Sequence, residues 1–91
     1  MSVTVRIPAQ LRTLTGGAGE VSMEGATVGE VLRALDEAHP GLGKRLFGDD
    51  GQIRRFVNVF VADEDVRFLQ GLDTAVAAGQ TVSVIPAVAG G

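Results

Sequence analysis

The chain has 91 residues, is 45% hydrophobic and 21% charged, and carries a net charge of -3 with no cysteine. That composition fits one small globular domain rather than a disordered chain, and its acidic balance offers no basic face to nucleic acid or to anionic lipid. Without thiols there are no disulfides, no thiolate catalysis and no cysteine-bound zinc. No apolar run approaches the roughly 20 residues of a membrane span, and the N-terminus lacks the layout of a signal peptide. A cytoplasmic protein is expected.

Val3, Val5 and Ile7 alternate with Ser2, Thr4 and Arg6, which predicts a half-buried strand ended by Pro8. After a connection, Thr15-Gly16-Gly17-Ala18-Gly19 forms a turn, and Glu20-Val21-Ser22-Met23 alternates again, completing a hairpin. Thr27-Val28-Gly29-Glu30 matches a capping box, with Thr27 as N-cap and Glu30 reaching back to the Thr27 amide. Val28, Val31, Leu32 and Leu35 then form one apolar helical face, and Pro40-Gly41 stops the helix after His39. Leu42, Leu46 and Phe47 indicate one more helical turn. Gly48-Asp49-Asp50-Gly51 is expected to be a mobile loop.

Residues 54–61 form the strongest predicted strand, with Val57, Val59 and Val61 on one face and Phe56, Asn58 and Phe60 on the other. Ala62-Asp63-Glu64-Asp65 is a turn, followed by a short strand at Val66-Arg67-Phe68. Leu72 and Val76 anchor a connection that ends at Gly79, and residues 81–85 are the last strand. The order strand, strand, helix, strand, short strand, strand predicts an α+β fold, a mixed sheet packed on one main helix. A grasp of this kind sets the two terminal strands side by side, so the last strand is expected to be central.

The chain closes with Pro86-Ala87-Val88-Ala89-Gly90-Gly91. Proline has no amide proton to continue a ladder. Residues 1–86 are therefore expected to form the domain and 87–91 a flexible tail spanning at most about 17 Å. Glycine lacks a Cβ, so the backbone at Gly90 and Gly91 can enter a channel too narrow for other residues. The Gly91 carboxylate would then arrive at a partner's active site on a thin tether. The bland alternative is a frayed end without a role.

Taken together, Arg55-Phe56-Val57-Asn58, Asp63-Glu64-Asp65-Val66-Arg67-Phe68 and the Gly-Gly tail resemble the ubiquitin-like sulfur carriers of the MoaD and ThiS family, and within it the CysO-like members of actinobacteria. The resemblance runs the length of the chain and implies a β-grasp fold. It also implies a protein substrate rather than an enzyme. An E1-like partner would adenylate the Gly91 carboxylate with ATP, and sulfide or a persulfide would displace AMP to leave a thiocarboxylate. The partner would recognise Ala87, Val88, Ala89, Gly90 and Gly91. The domain itself is expected to bind no cofactor and no metal. Implied acceptors are a cysteine-synthase-like pyridoxal-phosphate enzyme or a thiazole- or thiosugar-synthase-like enzyme, with a metalloprotease to release product. A modifier that ligates Gly91 to lysines, or an interaction domain with an idle tail, remains open.

Other features have plainer readings. His39, the only histidine, suits a helix C-terminus, where the helix dipole favours it. Asp63-Glu64-Asp65 lacks the spacing of a calcium loop and reads as a solvated turn. Gly16-Gly17-Ala18-Gly19 has no Lys-Ser/Thr ending and opens no helix, so it is no phosphate loop. Thr13, Thr15 and Ser22 have no partner base for nucleophilic catalysis. Phe60 and Ile85 are expected on the outer face of the sheet near the root of the tail. There they would form an apolar docking patch, unless loops cover that face.

Overall fold

The structure is a computed structural model that describes residues 2–54 and 57–86. Five strands form one sheet: β1 (Ser2–Arg6), β2 (Glu20–Glu24), β3 (Val57–Val61), β4 (Glu64–Asp65) and β5 (Thr81–Pro86), in the order β2-β1-β5-β3-β4. β1 and β5 are parallel neighbours at the centre, with Val5 opposite Val82. The other pairs are antiparallel. This is the ubiquitin-like β-grasp, with the last strand central as the grasp topology requires.

Strict alternation splits the sheet into two faces. Val3, Val5, Val57, Val59, Val61, Val82 and Val84 point to one side and are buried. Helix α1 (Val28–Ala38) covers that side with Val28, Val31, Leu32 and Leu35, each at 0% exposure. Thr27 is its N-cap, accepting from the Glu30 amide at 3.2 Å. The return half of the capping box reaches one residue further than expected, because the Glu30 carboxylate accepts from the Ala26 amide at 2.9 Å and not from Thr27. The amide of Thr27 therefore plays no part in the box. The Val28 amide is satisfied by the Thr74 carbonyl, from the connection that precedes β5.

Short α2 (Leu42–Leu46) adds Leu42 and Leu46 to the core. It has no side-chain cap of its own, since Gly41 is the N-cap. Asp36 on α1 substitutes, accepting from the Gly43 amide at 2.7 Å. The 48–51 loop is closed as a small hairpin, with Phe47 bridged to Ile53 and the Gly48 amide on the Gln52 carbonyl.

Two strand assignments need correction. β3 begins at Val57, and Arg54 lies outside it, its amide donating to the Leu46 carbonyl of α2. The expected short strand at residues 66–68 is a 3-10 turn, Val66–Phe68, and the strand is displaced to Glu64–Asp65. The cause is the turn before it. Ala62 and Asp63, at φ 48° and 75°, make a two-residue hairpin loop with both centres left-handed, which pairs Val61 with Glu64 directly. Asp65 then accepts from the Arg67 amide at 2.8 Å and turns the chain out of the sheet.

Candidate functional site

The residues expected to carry the chemistry, Gly91 with Ala87, Val88, Ala89 and Gly90, lie outside the described residues, as does Phe56. The sheet presents their point of departure. Pro86 is the final residue of β5 and pairs with Val57, the first residue of β3. The surface around that pair is the candidate site.

On the outer face, Ile85 lies directly opposite Asn58, and Phe60 lies opposite Ser83. Phe60 and Ile85 are thus diagonal neighbours on one face, within reach of each other's side chains. Ile85 is 50% exposed, whereas Phe60 is half-buried. The face is as expected; the patch is uneven, with Ile85 the open member. Toward β1 and β2 the same face turns polar, with Ser83 beside Arg6 and Arg6 beside Glu20, their side chains 3.3 Å apart.

Arg67 organises the edge of this surface. Its guanidinium donates to the Val57 carbonyl at 2.8 Å, to the Arg54 carbonyl at 3.1 Å and to Asn58 Oδ1 at 3.1 Å. β4 pairs with β3 only at Phe60 and Val61, so the start of β3 has no strand on that side. Arg67 fills the gap with side-chain donors, an alternative to the edge pairing that free carbonyls invite. The sequence alone predicts a strand at Arg67 and assigns its side chain no role. The signal was available in part: an arginine just after a two-residue hairpin is within reach of the strand it came from.

Two exposed apolar residues also escaped the sequence reading. Phe68 is 87% exposed and Leu69 42%. Both follow the acidic turn, and a strand over 66–68 would put Phe68 on the same side as the buried Val66.

His39 and Thr15 are both tied into local structure. His39 is the C-cap of α1, its amide on the Leu35 carbonyl. Thr15 is buried, and its hydroxyl is within 3.1 Å of the Arg12 carbonyl and 2.8 Å of the Ala18 carbonyl, so it clasps the turn. Among the described residues no group of three or more His, Cys, Asp or Glu is arranged to hold a metal ion. No helix among them is long and apolar enough to cross a membrane.

A ThiS family model matches residues 5–91. The chain is 50% identical to the sulfur carrier protein CysO of Mycobacterium tuberculosis, with all of both chains covered. In the crystal structure of the Amycolatopsis orientalis BexX/CysO complex, the similar chain superimposes with a TM-score of 0.92 at 48% identity, covering 98% of this chain and 99% of that one. SAMP1 from Haloferax volcanii, a small archaeal modifier protein, matches with a TM-score of 0.84 at 36% identity over 100% of both chains.

Proposed function

The chain belongs to the ThiS family, and on that premise we propose that it is a sulfur carrier activated at its own C-terminus. The observation that carries the reading is 50% identity to a sulfur carrier protein over the full length of both chains, with the family match running through Gly91. An E1-like enzyme adenylates the Gly91 carboxylate with ATP. The mixed anhydride supplies the leaving group that a carboxylate lacks, and sulfide attacks the carbonyl carbon, expels AMP and gives up its proton to solvent to leave the thiocarboxylate. The domain contributes the tether and a gripping surface; the activating partner contributes nucleotide, base and sulfur source.

The grip is assigned to Ile85 and Phe60. Five tail residues offer a partner little contact area and a large ordering cost, so binding must also draw on the globular body. A relative is found in complex with BexX, which supports action through docking. The thiocarboxylate is then handed to an acceptor, with cysteine as one product in keeping with the CysO relatives and a thiosugar- or thiazole-type product as another. A metalloprotease would release a product left attached to the tail. The setting is cytoplasmic, where ATP is available.

Intact mass spectrometry tests this. After incubation with the activating enzyme of the same genome, ATP and sulfide, the chain is expected to gain the mass of one oxygen replaced by sulfur. A chain lacking Gly90 and Gly91 should melt as the full chain does and gain nothing. Sulfur on the truncated chain would sink the assignment. The similarity to SAMP1 favours one second reading, ligation of Gly91 to lysines; it would appear in the same experiment as larger conjugates.

A further inference from the structure

Asn58 sits where the outer face meets the root of the tail, and the structure orients its side chain. The guanidinium of Arg67 is a donor on every nitrogen and accepts nothing. The Asn58 atom that faces it at 3.1 Å must therefore be the carboxamide oxygen, which settles the orientation of an amide whose two ends are otherwise hard to tell apart. Arg67 is itself braced by the Val57 and Arg54 carbonyls, so the carboxamide is held from a rigid support. Nδ2 and its two N–H groups then point away from Arg67. Among the described residues no acceptor is bonded to them, and no buried side-chain polar atom lacks a partner. Nδ2 is thus a solvated donor in the free domain.

That state cannot survive docking. Asn58 is directly opposite Ile85 on the ladder, and side chains at opposed positions have Cβ atoms only about 4.5–5.5 Å apart. A partner that buries Ile85 also strips water from Nδ2. A desolvated N–H without an acceptor would cancel much of what burial of Ile85 contributes. We propose that Asn58 is a partner-binding residue, with Arg67 as its positioning residue: Nδ2 donates to a carbonyl or carboxylate oxygen that the activating enzyme places beside the root of the tail. This rests on the carrier reading above and adds to it a polar specificity element within an otherwise apolar contact.

Asn58→Asp is the discriminating variant. It keeps an oxygen for Arg67 and turns that contact into an ion pair, but it removes both donors and faces the partner's oxygen with a carboxylate. In ATP–pyrophosphate exchange with the activating enzyme, the KM for the carrier is expected to rise roughly tenfold or more, with kcat at saturation retained. The urea midpoint should be unchanged or higher. Arg67→Lys loses the planar fork, so it should raise the KM as well, and the double variant should lose little beyond Asn58→Asp alone. An unchanged KM for Asn58→Asp, while the native chain is activated normally, would overturn the proposal and leave the carrier reading standing. A lower urea midpoint for Asn58→Asp would also overturn it, by showing that Nδ2 is bonded within the fold. No exchange with the native chain would instead remove the carrier reading, and the proposal with it.

Discussion

Ala62 holds a left-handed backbone, φ 48°, that glycine adopts without cost and alanine does not. The position opens the β3–β4 hairpin and determines that Val61 meets Glu64. Ala62→Gly is expected to stabilise the domain by about 0.5–1 kcal/mol, the steric relief outweighing the added freedom of the unfolded chain. Urea unfolding checks this, and a loss of stability would mean that the turn carries no strain. At Gly43 the logic reverses. A Cβ there would lie 2.7 Å from Asp36 Cγ and 2.8 Å from both carboxylate oxygens, in the space of the surrogate cap. Gly43→Ala should displace Asp36 and cost about 0.5–2 kcal/mol, the range for loss of a helix cap. Combining it with Asp36→Ala should cost little more than either change alone, because the two share one interaction.

α1 joins local and long-range order. Its apolar stripe faces the valine side of the sheet, and its N-terminus receives both Thr27 and the Thr74 carbonyl. Thr27→Ala is expected to cost about 1 kcal/mol in thermal or urea melts, with Thr27→Asn or Thr27→Asp close to native. Most of this element was legible in the sequence: the cap, the four-residue face and the Pro40-Gly41 stop are local chemistry. The target of Glu30 was not, because one residue more or less of reach depends on how the chain enters from β2. The 66–68 segment misled for a related reason. Val66 is buried and β-branched, so it reads as strand, but the Asp65 side chain turns the backbone out of the sheet, and the pairing with β3 stops at Phe60.

Across the sheet, the parallel β1–β5 pair places the starts of β1 and β5 at one end, and the β5 terminus at the other. Pro86, the last residue before the tail, therefore lies beside the start of β3, where Asn58, Ile85 and the Arg67 clamp lie. Ile85→Ala is expected to cost the free domain less than about 1 kcal/mol, because half the side chain is already in water, yet to weaken binding to the activating enzyme about ten- to hundredfold. Phe60→Ala should cost the fold more, roughly 1–3 kcal/mol, because the ring is half-buried before any partner arrives. Urea melts and binding titrations on the two variants separate surface from core. A stability loss at Ile85 as large as that at Phe60 would remove Ile85 from the docking surface.

The sequence by itself determined the class of fold, the capped helix, the two faces of the sheet and the Gly-Gly terminus, since each is written in local periodicity or in the steric properties of single residues. It also carried the family resemblance, which the comparisons uphold. Only the tertiary structure decided the placement of β4, the exposure of Phe68 and Leu69, the uneven burial of Phe60 and Ile85, and the clamp of Arg67 on Val57, Arg54 and Asn58. These depend on which groups remain unpaired once the strands have taken their partners. Hydrophobic alternation encodes a face, but a free strand edge and the side chain that satisfies it exist only after the sheet has formed.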